Sequence, residues 1–516
     1  MKNILPLLPV GQQDFEQIRS IGMIYVDKTE LILNILNSYN TFFFLSRPRR
    51  FGKSLLINTL KAIFEGKKDL FDGLFISDKW NFEAHPVIHL DFSTMGFREI
   101  GLKIAIEKTL ESIAKQLQIE LLCTGIGLKF AELMQKLHEK TGKQVVVLID
   151  EYDKPITDVL EFGKTDKANE HRDVLRSLYS AVKGNSEHIR FFFLTGIARF
   201  AKVSIFSDLN NLTDLSIESD YHNLLGYTQI ELETSFEPHL NYIATERSIS
   251  ITLLLDEIRV WYNGFSWNGK ETVYNPYSIL RFLSAREFHN FWFDSGTPKF
   301  LIELLKKASV YNMSNMISDP LTAGNLDIDN VTLVPLFFQT GYLTIKEIDK
   351  FGRYHLDYPN KEVEQAMLQH ILMAFAHDSQ KSSIAFDITT AIEEHNIELL
   401  IKTVNTLFAS IPYQLFDANQ EKYFHAILFL SLKLCGFFIE SEVSVSTGRI
   451  DAIMHYQNRV YIFEFKLNDS ADSALKQIHE KGYYKRFLHS GKEVFLLGIS
   501  FSGKTKEVAE WKLEQI

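Results

Sequence analysis

The chain has 516 residues, 46% of them apolar and 23% charged, with a formal net charge of −10. That length exceeds what one hydrophobic core supports, so about three domains are expected. The acidity excludes a uniformly basic coat, and any surface that meets nucleic acid has to gather its Lys and Arg locally.

Cysteine is scarce. Cys123 and Cys435 are far apart, which excludes a disulfide framework and fits a reducing compartment. The opening MKNILPLLPV is too short an apolar run for a signal peptide, and Pro6 and Pro9 interrupt it. No window reaches the length of a membrane span. A cytoplasmic protein without a membrane partner is expected.

Residues 1–225 alternate short apolar runs with amphipathic stretches. The runs are Thr41–Leu45, Val87–Phe92, Val145–Ile149 and Phe191–Leu194. Continuous apolar runs of this length read as buried parallel strands joined by crossover helices, hence a doubly wound α/β domain. Residues 226–384 read as a helical middle domain with aromatic knots at Trp261–Phe265 and Tyr274–Tyr277. In residues 385–516 helices give way to strands at Ser441–Val445, Arg449–His455 and Arg459–Leu467, with a turn at Gln457-Asn458. A helical stretch, Ser473–Phe487, and a last strand, Glu493–Ser500, complete a small α/β unit.

The first apolar run leads into Ser46-Arg47-Pro48-Arg49-Arg50-Phe51-Gly52-Lys53-Ser54 and then a helical segment. Strand, tight loop and helix are the context of a phosphate-binding loop. The N–H groups of Arg49, Arg50, Phe51, Gly52, Ser54 and Leu55 are expected to hold the phosphates of ATP. Lys53 would reach the β- and γ-phosphates and the Ser54 hydroxyl would ligate Mg²⁺. Arg47 stands where such loops usually carry their first glycine, so the loop has to turn without it, with Pro48 as an aid. The third run ends in Asp150-Glu151, with Asp150 expected to hold Mg²⁺ through water and Glu151 to polarise the attacking water. The fourth ends in Thr195, a polar tip suited to sensing the γ-phosphate. Arg199 and Lys202 are candidate charge stabilisers that a solvated surface would also explain. Asp153 and Lys154 either shape the site or pair with each other.

Near the C-terminus, Gly448-Arg449-Ile450-Asp451 opens one strand, and Glu464 and Lys466 share a face of the next. Two carboxylates and a lysine suit Mg²⁺-dependent phosphodiester hydrolysis, Asp451 and Glu464 holding the metal. E-x-K alone is common on wet strand faces, and the preceding GRID and the αβββαβ order add weight. Lys476, Lys481, Lys485 and Arg486 give the following helix a basic character.

RPRRFGKS, LIDEYDKP (148–155) and LTGIARFAKVSIFSDLNN (194–211) resemble the bacterial AAA-like ATPases that carry a C-terminal PD-(D/E)XK nuclease-like domain. The opening VGQQDFEQIRSIGMIYVDKT (10–29), VYNPYSIL and FWFDSGTP extend the resemblance over nearly the whole chain. It implies a P-loop NTPase parallel sheet, a helical middle and a restriction-endonuclease-like C-terminal domain, and arginine is routine at the position of Arg47. GRIDAI and IFEFKL resemble the nuclease signature. Glu421 then matches the helix-borne acid of that signature, and Gln477 and Tyr483 match positions on the later helix.

Two patterns are set aside. Gly264-Phe265-Ser266-Trp267 hints at a nucleophile elbow, but Asn268 takes the place of the final glycine. His85 and His89 have a spacing that binds metal only on a helix face. The expected activity is an ATPase whose nucleotide state controls a nuclease acting on nucleic acid, DNA foremost, with a homo-oligomer left open. The rival is a switch-type ATPase whose C-terminal domain only binds nucleic acid or a protein; a remodelling chaperone lacks a pore motif.

Overall fold

The four N-terminal apolar runs become neighbours in one sheet. Strands β1 (Phe42–Ser46), β2 (Val87–Asp91), β3 (Val145–Asp150), β4 (Ile189–Gly196) and the short β5 (Thr213–Asp214) lie in the order β2-β3-β4-β1-β5, all parallel. The central strands are apolar on both faces because helices cover both sides, and every residue of β3 is buried. The computed structural model describes residues 5–160, 165–200, 211–292, 305, 313–375, 381–409, 421–434, 438–445, 448–488 and 490–516. The chain divides into two units, Met1–Leu304 with Asn312–Glu364, and Leu305–Tyr311 with Gln365–Ile516.

Helix Lys53–Phe64 follows β1 and buries Leu56, Ile57, Leu60, Ile63 and Phe64, an i, i+3, i+4 stripe turned to the sheet. The segment Tyr25–Thr29 ties the N-terminus down. Asp27 accepts the Thr29 N–H and hydroxyl on one oxygen and the Phe75 N–H on the other, while Lys28 pairs with Glu231 at 2.6 Å. Helices Gln229–Ser235, Glu237–Glu246, Ile251–Tyr262 and Pro276–Ala285 share a core around Leu232, Phe236, Ile258 and Ile279. This helical stretch also carries a small antiparallel sheet, in the order β6 (Met316–Ser318), β8 (Tyr354–Asp357), β7 (Thr344–Ile348). Two short runs around the tight turn at Gly352 carry too little periodic signal to mark it in advance.

The second unit is built on a sheet ordered β13-β12-β11-β10-β9. Its strands are β9 (Phe438–Val445), β10 (Gly448–Tyr456), β11 (Arg459–Leu467), β12 (Glu493–Ser502) and β13 (Glu507–Gln515), with β11 and β12 parallel and the other pairs antiparallel. Tyr456 lies opposite Arg459, so Gln457-Asn458 is a two-residue hairpin turn. The helical stretch expected through Phe487 stops earlier: helix Ala471–Lys481 closes on Gly482 in the left-handed region, and a 3₁₀ turn, Tyr483–Phe487, follows. Strand β13 adds an edge that its charged, weakly alternating sequence had not announced. Among the described residues no helix is long and apolar enough to cross a membrane.

The rejected elbow has a structural explanation. Gly264 has φ +113°, and a Cβ there would sit 2.0 Å from the Pro359 carbonyl oxygen. Ser266 is 2% exposed, donates its N–H to Thr344 Oγ1 and accepts the Gly269 N–H. Gly264→Ala combines a forbidden backbone with a backbone clash, so a loss of about 3 kcal/mol or more is expected. A melting temperature within a degree or two of wild type would contradict that close approach.

Candidate functional site

The loop between β1 and helix Lys53–Phe64 begins by joining the neighbouring strand, the Arg47 N–H donating to Gly196 O at 3.1 Å. Arg47 keeps an ordinary φ; the left-handed residues are Arg50 (φ 65°) and Gly52 (φ 93°). The turn is therefore made three residues after the missing glycine, and no glycine is needed at 47. The Arg47 side chain goes inward instead, 1% exposed, its guanidinium donating to the carbonyls of Ser46, Ser216 and Tyr221. Burial disfavours its charge and Asp214 opposes that effect.

Lys53 is 6% exposed and its ammonium donates to the carbonyls of Arg47 and Pro48 at 2.8 and 2.9 Å. Burial lowers its pKa, and Asp150, Glu151 and Asp153 pull it back up. Asp150 is 3% exposed and accepts the Thr195 hydroxyl at 2.5 Å and the Glu151 N–H at 2.9 Å. Because β4 lies between β1 and β3, Thr195 stands between the loop and the acidic pair. Glu151 itself is left-handed, φ 51°, a backbone strain that persists where surroundings over-determine it. Lys154 lies 3.6 Å from Glu151 and 3.7 Å from Asp158.

Asp153 has a different partner from the one its neighbour suggested. One carboxylate oxygen accepts the N–H groups of Ile197 and Ala198, at 3.0 and 2.7 Å, fixing the turn after β4. Arg199 pairs with Asp214 at 3.0 Å and donates its N–H to Gln339. Lys202 lies outside the described residues.

The arrangement fits a nucleoside polyphosphate. Helix Lys53–Phe64 has a glycine N-cap that supplies no side-chain hydrogen bond to its first N–H groups, which suits them to anionic oxygens. The Arg50 Nη1 is buried with no hydrogen-bond partner among the described residues. Ser54, Asp150 and Thr195 offer hard oxygens of the kind Mg²⁺ takes.

What the motif reading did not anticipate is the contribution of the middle stretch. Arg47 lies over the Trp267 ring at 4.0 Å and Arg50 over the Tyr277 ring at 3.7 Å. Phe51 meets Phe265 and Trp267 edge-on at 4.9 and 5.5 Å. Asn275 Nδ2 and Trp292 Nε1 both donate to the Arg49 carbonyl at 3.4 Å. The aromatic knots are core residues, and part of what they pack on is the loop. The available signal was a run of arginines beside a buried loop, which had to find partners.

In the second unit Ala452 pairs with Phe463, which puts Asp451 beside Glu464, and Asp451 Oδ2 accepts the Phe465 N–H at 2.8 Å. Glu464 is 1% exposed and accepts from Lys466 at 3.2 Å and from the Gln477 amide. Lys466 also donates to Gln477 Oε1 at 2.9 Å. Tyr483 donates to the Arg449 carbonyl at 2.7 Å and lies near Gln477. The two acids, Lys466, Gln477 and Tyr483 are thus gathered at one place, and the paired carboxylates are the hard donors that suit Mg²⁺. Glu421 opens helix Glu421–Leu434, its side chain outside the described residues. One turn later His425, missed in the sequence, packs against Phe465 at 4.8 Å beside the Asp451 backbone; burial pushes its pKa down to about 4. Lys476, Lys481, Lys485 and Arg486 are exposed. His85 bonds the Gln144 carbonyl and His89 is on β2; no group of three potential ligands forms among the described residues.

Residues 9–206 match the model of the predicted AAA-ATPase (AAA-ATPase-like) family, and residues 419–511 that of the PD-(D/E)XK nuclease superfamily. An Azotobacter chroococcum mcd 1 protein, described as an uncharacterized protein in the vnfD 5′ region, is 36% identical over 534 aligned positions that cover 99% of each chain. The Walker-type ATPase PABY2304 of Pyrococcus abyssi overlaps 67% of this chain and 96% of its own at a TM-score of 0.33 and 13% identity.

Burial pushes the Asp153 carboxyl up to about 6, against the Ala198 N–H and Lys53. The folded state then keeps a proton that the unfolded chain releases near pH 4, so this group's contribution to stability is lost as pH rises from about 4 to 6. Asp153→Asn keeps an acceptor oxygen without the titration. Urea midpoints measured from pH 4 to 7 should show the variant gaining on wild type by up to about 3 kcal/mol over that window. Parallel curves would remove Asp153 from the balance.

Proposed function

Since the chain belongs to the family of predicted AAA-ATPases that carry a PD-(D/E)XK nuclease superfamily domain, we propose that it hydrolyses ATP and that its nucleotide state governs a Mg²⁺-dependent nuclease acting on nucleic acid, DNA foremost. The observation that supports this reading is that one chain gathers residues suited to both chemistries. Lys53 stands in a loop beside Asp150, Glu151 and Thr195, and Glu464, Lys466 and Gln477 meet next to Asp451.

In the first unit the loop N–H groups from Arg49 to Leu55 bind the phosphates. Lys53 exchanges the carbonyls of Arg47 and Pro48 for phosphate oxygens, which lets its buried charge meet an anion. Ser54 and Asp150 would hold Mg²⁺. Glu151 orients the attacking water and takes its proton, while Thr195 fixes the Asp150 carboxylate at the sheet edge.

In the second unit Asp451 and Glu464 would hold Mg²⁺, which when bound would lower the pKa of a water and offset charge on phosphate. Lys466, kept in place by Gln477, orients that water and balances charge on the phosphodiester. Glu421 is assigned to the same site, and the basic residues between 476 and 486 approach the backbone of the nucleic acid.

Labelled DNA and RNA incubated with Mg²⁺, with and without ATP, test both halves together. Asp451→Ala should lower cleavage by about 100-fold or more with ATP hydrolysis intact. Lys53→Ala should lower ATP hydrolysis by a similar factor and change the ATP dependence of cutting. Cleavage untouched by Asp451→Ala would refute the nuclease assignment. Hydrolysis of ATP with no cutting of any substrate would favour a switch whose second unit only binds.

A further inference from the structure

The phosphate loop is not shaped by its own residues alone. Its residues from Arg47 to Phe51 are met from one side by side chains that come more than 200 positions later and lie outside the stretch matched to the ATPase-like family model. Arg50 is the pivot. It is a non-glycine residue in the left-handed region, φ 65°, where an L side chain clashes with its own backbone. Such a conformation persists when the surroundings hold it. Here the holder is visible: the guanidinium carbon lies over the Tyr277 ring, 3.7 Å from its centre. Just before Arg50, Asn275 and Trp292 donate to the Arg49 carbonyl, and Arg47 lies over Trp267.

Building on the nucleotide reading above, we propose that Tyr277 is a positioning residue for ATP binding. By stacking on Arg50 it locks the left-handed turn that aims the loop N–H groups at the phosphates. Trp267 packs on the Arg47 guanidinium three residues earlier, where the backbone φ is ordinary. The helical stretch from 226 onward is then a working part of the nucleotide site, and a movement of helix Pro276–Ala285 would reach the phosphates through one side chain.

The test is calorimetric titration of the full chain with Mg·ATP, alongside melting curves without nucleotide. Tyr277→Leu keeps apolar volume and removes the ring; it should weaken Kd roughly five- to twentyfold, the range of a partly desolvated cation–π contact. Tyr277→Phe, which keeps the ring face, should stay within about twofold. The deciding comparison uses Arg50→Gly, because glycine takes a left-handed φ without help. If Tyr277 acts by holding Arg50, then Tyr277→Leu adds no further loss of affinity on the Arg50→Gly background. A full penalty on that background, or wild-type affinity for Tyr277→Leu alone, overturns the proposal while ATP binding stands. Should the leucine variant fail to fold, Tyr277→Met carries the same comparison. A wild-type chain that binds no Mg·ATP overturns the nucleotide reading, and this inference with it.

Discussion

The placement of β4 between β1 and β3 is the constraint on which the first unit depends. Parallel strands stand about 4.8 Å apart, so one intervening strand sets the loop and the acidic pair roughly 10 Å from each other at the same sheet edge. That gap is spanned by side chains rather than filled by core. Thr195 reaches Asp150 from the tip of β4, and Gly196 takes the loop's first N–H. A residue larger than glycine at 196 would meet Asp153 and Tyr152 at 2.6 Å. The sheet order therefore decides where the charges stand, and the tip residues decide how close they come.

Burying those charges is expensive, and each is compensated by dipoles rather than by a single counter-ion. Lys53 sits on two carbonyls, Arg47 on three, and Asp153 on two N–H groups. Hydrogen bonds to charged groups contribute about 1.5–3 kcal/mol each, which balances a desolvation of several kcal/mol per ion. Lys53 thereby stabilises the loop by binding two carbonyls, which under the proposed function it would exchange for phosphate oxygens. The left-handed Arg50 adds a cost of about 1–2 kcal/mol, which a cation–π contact of similar size offsets.

The periodic parts of the chain were legible in advance, and the pairings between distant segments were not. The four buried runs, the acidic pair at the end of β3 and the Gln457-Asn458 hairpin carry their signal within a few residues. Strand β13 does not, since in Glu507–Gln515 charged residues are interspersed with apolar side chains of uneven burial, Val508 buried and Trp511 and Leu513 half-buried. Arg47 was the most instructive residue. Judged against a glycine pattern it was a defect, yet the left-handed positions lie at 50 and 52, and its side chain is spoken for by Trp267 and three carbonyls. No local pattern announces that Tyr277 belongs to a loop more than 200 residues earlier, because a contact of that separation leaves no period in the sequence. Asp153 illustrates the same limit over a shorter span, its partners lying more than 40 residues away on the turn after β4.

The second unit solves the opposite problem, a cation among acids. Glu464 is almost fully buried and bears both Lys466 and Gln477, so the lysine is fixed by the acid it accompanies and by an amide from helix Ala471–Lys481. The parallel pairing of β11 with β12 allows this, because it requires a crossover, and the crossover brings Gln477 over Glu464. The antiparallel hairpin on the other side supplies Asp451 at the matching register. One slip of that register would turn Asp451 to the far face of the sheet and separate the two acids. A two-residue turn at Gln457-Asn458 leaves little room for such a slip, so a short connection helps keep the two carboxylates together.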